Sequence, residues 1–221
     1  MENFSTEEEN ISVKKPSLRL AFTTLLISNL FTIALAIYFG CDIINILWIY
    51  WFQSIIIGLI CVVEILSLKK FSTEEITPPL EPNSVSTKIQ VAVVFIFAFG
   101  MFHFIYALFL FNIFSLAQKG NIIQWEVILP GISIFFVHYF IQYILSKIKT
   151  QSNVVPNIGK VMIKPFYRIV PMHLIIILSV WIILAGVSPS NRTASIIILI
   201  LFTSIKTLAD VYTQYLIAKK A

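Results

Sequence analysis

The feature that most limits this chain is a set of six long apolar runs. They fall near residues 18–40, 43–68, 88–117, 122–147, 166–187 and 193–217. A helix needs about 20 residues to cross the hydrocarbon of a bilayer, whereas a membrane strand needs only about ten, alternating apolar with polar. These runs are too long and too continuously apolar for the strand pattern. In lipid every backbone N–H and C=O must be satisfied within its own segment, which overrides the weak helix propensity of isoleucine and valine. The sequence therefore predicts an all-α fold, a polytopic membrane bundle of six transmembrane helices.

Composition points the same way, with 58% hydrophobic and 12% charged residues where soluble domains carry about 25% charged. At 221 residues the chain has room for one bundle, over 18–217, and none for a separate soluble catalytic domain. The bundle is flanked by a polar N-terminal tail, 1–17, and a short C-terminal tail, 218–221. The first ten residues, MENFSTEEEN, are acidic rather than basic, so the first apolar run reads as a permanent helix and not a cleaved leader.

The connections carry ordinary punctuation. Gly40-Cys41-Asp42 is a tight turn. The loop 69–87 contains FSTEEITPPLEPNSVST, residues 71–87, whose three prolines oppose a helix. Lys119-Gly120-Asn121 turns the chain between spans three and four, 148–165 forms the next loop, and GVSPSNRT, 186–193, separates the last two spans. No internal repeat is visible.

Basic residues assign the sides. Lys14, Lys15, Arg19, Lys69, Lys70, Lys88, Lys147, Lys149, Lys160, Lys164, Arg168, Lys219 and Lys220 fall on one set of connections, and only Lys119 and Arg192 on the other. Positive residues stay inside, so both termini are expected in the cytoplasm of a protein that crosses the cell membrane several times. The formal charge of +5 is distributed in short clusters suited to anionic lipid head groups, with no call for nucleic acid. Trp48, Trp51, Trp125 and Trp181, with Tyr38 and Tyr50, fall in the outer half, Trp181 deep enough to suit packing equally, and Tyr143, Tyr167, Tyr212 and Tyr215 fall toward the inner boundary.

Polar residues inside the spans are the candidate chemistry. Ionisable groups in lipid are expensive and face the protein interior or a water-filled cavity. His103 lies near the middle of span three, His138 and Gln142 one turn apart on span four, and His173 in the inner part of span five. Lys206 and Asp210, four apart on span six, share a helix face. Glu64 is in the inner part of span two, and Gln53 is expected near its outer end, apart from the rest. Lys206–Asp210 fits a self-neutralising pair, with or without Glu64, an ion or proton site, or a peripheral pair whose lysine reaches the head groups.

Three histidines raise the question of a metal, for which His103, His138 and His173 are the weak candidates, or of a haem between His103 and His138 on adjacent spans. Each stands alone on its helix, with no i,i+4 histidine pair, so no metal is assigned and the cofactors are unknown. Satisfied interhelical histidines are the plainer reading. Ser54 and Gly58 form a small-xxx-small pair that suits close packing inside the bundle before dimerisation. Cys41 and Cys61 are expected at different depths, which argues against a disulfide. Ser115, Ser133 and Ser179 have no base nearby in sequence, and no phosphate loop, CxxC or GxSxG is present.

The stretch IKPFYRIVPMHLII, 163–176, reads as an interfacial joint. Ile158, Met162, Phe166 and Ile169 fall on one stripe, and Lys160, Lys164 and Arg168 on a basic one suited to anions or lipid head groups. Pro165 starts or interrupts a short turn, and Pro171 suits the first turn of span five.

The polar residues sit in IYWFQSIIIG (49–58), FGMFHFIYALF (99–109), VHYF (137–140), KPFYRIVPMH (164–173) and IKTLAD (205–210). In these stretches the chain resembles an uncharacterised family of multi-pass membrane proteins, domain of unknown function 6498. Tyr-Trp-x-x-Ser and Lys-Pro-x-x-Arg-Ile-x-Pro-x-His are the more specific elements. The resemblance implies a multi-pass membrane fold and no particular activity. Family members carry a glutamate where this chain has Gln53, which puts in doubt any role needing a carboxylate there.

Three functions remain open on these residues. The first is a polar cavity in the cytoplasmic half that binds or transports a small solute or ion, alone or as a homo-oligomer. The second is an intramembrane metal- or haem-dependent enzyme. The third is a non-catalytic structural or accessory subunit.

Overall fold

The structure, a computed structural model, describes residues 23–40, 43–116, 123–149, 155–167, 200, 203–205, 207–208 and 211–212. Among these the fold is all-α. Helix α1 spans Thr23–Phe39, α2 Ile43–Ser67, α3 Val85–Leu116, α4 Trp125–Lys149 and the short α5 Ile158–Ile163. Three stretches, Ile44–Ser67, Val85–Asn112 and Trp125–Lys147, are long and apolar enough to cross a membrane, while α1 is a shorter apolar helix.

Helix α2 is the centre of the described bundle and packs against α3, α4 and α5. In its most apolar window 56% of residues are buried, against 28% in α3 and 33% in α4, so the other two present most of their apolar surface outward. Glycines allow close approach on both sides of α2. A Cβ added at Gly58 would lie 2.5 Å from the Phe99 ring of α3, and one at Gly131 of α4 would lie 2.8 Å from Ile49. The Ser54/Gly58 pair thus serves packing within the chain.

Each turn has an identifiable fastening. Gly40, at φ +62°, supplies the left-handed residue that ends α1. At the far end of α2, the Lys88 ammonium donates to the Leu68 carbonyl at 2.9 Å, a cation at a helix C-terminus. Helix α3 starts at Val85, three residues before the expected 88. The reason is local: all three prolines precede Asn83, so nothing after it opposes helix. Asn83 itself takes φ 60° and its side chain accepts from the Phe71 N–H at 2.8 Å. At the other end, the Asn45 side chain accepts the Gln124 N–H at 3.0 Å and pins the start of α4 to the start of α2.

The loop after α2 and the segment 155–167 form one cap. Ser72 N–H donates to the Pro156 carbonyl at 3.0 Å and Ile158 N–H to the Ser72 carbonyl at 3.1 Å. Asn157 caps α5 by accepting from the Gly159 and Lys160 N–H groups at 2.9 and 3.2 Å. Ile158 and Val161 are buried in the same core as Ile65 and Phe71. Phe166 meets Phe95, Phe99 and Phe102 of α3, with ring centroids 5.7, 5.7 and 6.3 Å away. The predicted apolar stripe through Ile158, Met162 and Phe166 therefore faces protein, and the chain turns at Lys164-Pro165. Ile169, Pro171 and the remainder of spans five and six, apart from the few residues named above, lie outside the described residues.

Candidate functional site

The described helices turn long apolar faces outward and bury several polar side chains beside an apolar core. On α1 the buried residues are Leu25, Ser28, Asn29, Thr32 and Ala36, a single stripe at helical spacing whose middle is polar. Leu26, Ile27, Leu30, Phe31, Ile37, Tyr38 and Phe39 face outward. Helices α2, α3 and α4 repeat the arrangement: Asn45, Gln53, Ser54, His103 and His138 are buried while Leu59, Phe97, Phe104 and Phe136 are exposed. Exposed apolar faces this extensive fit a hydrocarbon solvent.

Helix register brings several of these polar residues to one level. Asn29 lies ten residues before Phe39, the end of α1, and Gln53 ten after Ile43, the start of α2. On each helix this is about 15 Å of rise from the ends that flank residues 40–43, which puts the two residues at similar depth. Helix α4 is fixed to α1 by Gln142, which donates to the Thr24 hydroxyl at 3.3 Å. From that contact Asn29 is five residues and His138 four residues toward the Gly40 end, a match within about 2 Å. Gln53 Nε2 donates to the Tyr139 hydroxyl at 2.8 Å, which places Tyr139 in the same layer. One turn above Gln53, the Tyr50 hydroxyl donates to Thr203 Oγ1 at 3.2 Å.

Satisfaction within the layer is uneven. Ser28 and Thr32 bond back to the carbonyls of Thr24 and Ser28 at 2.8 and 2.9 Å. Asn29 is 1% exposed, and neither its Nδ2 nor its Oδ1 has a partner among the described residues. Gln53, 2% exposed, leaves its Oε1 unpartnered in the same sense.

On its other side α2 meets α3 through Ser54 and His103. Their Oγ and Nε2 atoms are 2.8 Å apart, and Nδ1 lies 2.8 Å from the Phe99 carbonyl. A carbonyl only accepts, so the neutral ring carries its proton on Nδ1 and the Ser54 hydroxyl donates to Nε2. The Trp51 indole donates to the His103 carbonyl at 3.0 Å, and the imidazole stacks on Phe99 at 4.2 Å. Hydroxyl, base and orienting carbonyl stand in the order of an activated nucleophile. Ser54 is in the middle of α2, however, where the helix uses the backbone N–H groups and leaves none to hold an oxyanion. The arrangement is an interhelical clamp.

The predicted site residues therefore divide. His103 and His138 are buried on opposite neighbours of α2, and both ring nitrogens of His103 are engaged. His138 packs edge-on to Tyr139 at 4.6 Å, and Gln142 lies a turn farther along α4. Glu64 is away from both, partly exposed and 3.9 Å from Lys164. Lys160 is exposed and pairs with Glu75 at 3.0 Å. Among the described residues no group of three His, Cys, Asp or Glu side chains could hold a metal ion. His173, Lys206, Asp210, Arg168 and Cys41 lie outside the described residues. Cys61 is free and buried, its thiol 3.4 Å from the Val161 carbonyl.

The sequence profile of one family, described as a family of unknown function (DUF6498), matches residues 12–221. The chain belongs to that family. No curated protein and no solved structure matches it. The three long apolar helices suggest a membrane protein, and the family description adds no activity.

Sequence reasoning did not single out Asn29, Tyr139 or the partnership of Ser54 with His103. It also set Gln53 too near the boundary: Gln53 is the eleventh of 25 residues in α2. The signal for Asn29 was present, since it is the lone amide in an otherwise apolar and hydroxylic α1.

Proposed function

We propose that this protein crosses the cell membrane six times, with both termini in the cytoplasm, and binds or transports a small solute in the layer formed by α1, α2 and α4. The observation that carries the binding site is the Asn29 side chain. Its amide donor and acceptor are buried at the level of the unpartnered Gln53 oxygen. A buried polar atom left without a partner costs about 1–3 kcal/mol. Three at one depth are sustained when something else completes their hydrogen bonds. The apolar outward faces of α1 to α4 support the lipid environment, and the distribution of basic residues supports the orientation. Lys160, Lys164 and Arg168 then stand at the cytoplasmic surface, where Arg168 and any transiently unpaired lysine meet anionic head groups.

Purified protein in lipid nanodiscs tests the site by thermal unfolding against a panel of ions, amino acids, sugars and amides. One class should raise the unfolding temperature of the wild type, and Asn29→Leu should abolish that rise while remaining folded. An Asn29→Leu protein more stable than the wild type, with no solute effect on either, would mark the amide as structural and overturn the proposal. Topology is tested by single cysteines in a chain with Cys41 and Cys61 replaced by serine. Labels at positions 5, 74 and 219 should react only from the cytoplasmic side, and those at 120 and 190 only from outside.

A further inference from the structure

The hydrogen-bonding inventory of the layer narrows the ligand. Resting on the binding site proposed above, we infer that it takes a small neutral solute bearing a primary amide or urea group. The unpartnered atoms are two acceptors, Asn29 Oδ1 and Gln53 Oε1, and one NH₂ donor, Asn29 Nδ2. A bare cation would satisfy the two oxygens and strand Nδ2. An anion would take Nδ2 and face two oxygens. A carboxamide or urea offers N–H groups to both oxygens and its carbonyl to Nδ2, so every buried atom gains a partner.

The electrostatics of the layer agree. Helix α1 carries no charged residue over Thr23–Phe39. The first on α2 is Glu64, eleven residues beyond Gln53, about 16 Å along the axis. On α4, Glu126 and Lys147 lie twelve residues before and nine after His138. Apart from the His138 imidazole, the described residues of the layer thus include no Asp, Glu, Lys or Arg to offset a charged ligand, whose desolvation there would be steep. The immediate hydrogen-bonding surroundings are neutral as well: the Tyr139 hydroxyl fixes the Gln53 amide at 2.8 Å, and Ser28 and Thr32 spend their protons on backbone carbonyls. Gln53 is thereby held with one end committed and the other available.

Full-length protein in liposomes is the test, with acetamide and urea as probes, glycerol as a hydroxyl-only comparison and sodium chloride as the ionic one. Permeation is followed by light scattering after an osmotic step, and binding by thermal unfolding in nanodiscs. Acetamide and urea should permeate faster than through protein-free liposomes, or raise the unfolding temperature, with glycerol and salt inactive. Asn29→Leu and Gln53→Leu should each weaken the effect about tenfold, the ratio expected for one lost hydrogen bond. Asn29→Asp keeps the shape but loses the donor, and should exchange amide response for cation response. Gly100→Ala, on an exposed site of α3 with nothing near its Cβ, should behave as wild type. Activity toward ions or polyols with none toward amides overturns the amide inference and leaves the binding site standing. No response to any probe, with Asn29→Leu folded and no less stable, overturns both.

Discussion

Alanine at Gly58 is a sharp probe of how α2 and α3 are locked together. The new Cβ would sit 2.5, 2.9 and 3.2 Å from three atoms of the Phe99 ring. Carbon atoms in contact keep about 3.5–4.0 Å, so the ring must retreat by roughly 1 Å. It has little room to do so, because Phe95 stacks on it at 4.9 Å, His103 at 4.2 Å, and Phe166 meets it edge-on at 5.7 Å. Overpacking of this kind costs about 1–3 kcal/mol, against a gain of about 0.5–1 kcal/mol for removing a helical glycine. The expected net loss is about 0–2.5 kcal/mol. Gly100→Ala supplies the control: nothing lies within 4 Å of its Cβ, so only the gain remains. Reversible unfolding by SDS in mixed micelles, read by tryptophan fluorescence and circular dichroism, measures both. The stability order should be Gly100→Ala at or above wild type, then Gly58→Ala, with Phe99→Leu restoring part of the loss in the Gly58→Ala background. A Gly58→Ala protein as stable as Gly100→Ala would refute the packing argument.

Other outcomes follow from the same contacts. A double-mutant cycle of Gln53→Leu with Tyr139→Phe should give a coupling of about 0.6 kcal/mol, and no more than about 1.7, the range for polar pairs between membrane helices; additive single effects would deny the 2.8 Å bond. Asn157→Ala removes the two cap hydrogen bonds of α5 and should destabilise the cap by about 1 kcal/mol, seen as faster hydrogen exchange confined to residues 69–84 and 155–167. Lys164→Met should change global stability by less than about 0.5 kcal/mol, because its 3.9 Å pairing with Glu64 is partly open to solvent. A larger loss in the same unfolding assay would mean that the pair is shielded.

The helices were legible because their cause is local. Long apolar runs have no other way to satisfy their backbone in lipid, so α2, α3 and α4 could be read with ends displaced by a few residues. The joint before span five was legible in part, since Pro165 breaks the chain where expected. Its environment was not: Ile158, Val161 and Phe166 bury against Ile65, Phe71 and the α3 rings, contacts that depend on chain far away in sequence.

The candidate site shows the same division. Histidines and charges draw notice in an apolar sequence, so His103 and His138 were selected by residue type. Their partners were undetermined: His103 meets Ser54 of α2, while His138 lies on α4, the other long neighbour of α2. Asn29 was passed over because it is uncharged, and Gln53 was noted but set apart from the other polar residues. Their importance arises from the equal distance of each from the Gly40 turn and from bonds that reach one end of Gln53 but neither end of Asn29.

The sequence by itself determined a membrane-embedded helical chain, because the length and apolarity of each run act through its own backbone and the surrounding lipid. Tertiary structure alone decided which polar groups meet, because hydrogen-bond partners lie on helices whose register and facing are set by turns and glycine contacts. The Ser54–His103 clamp and the incomplete Asn29–Gln53 layer are products of that register.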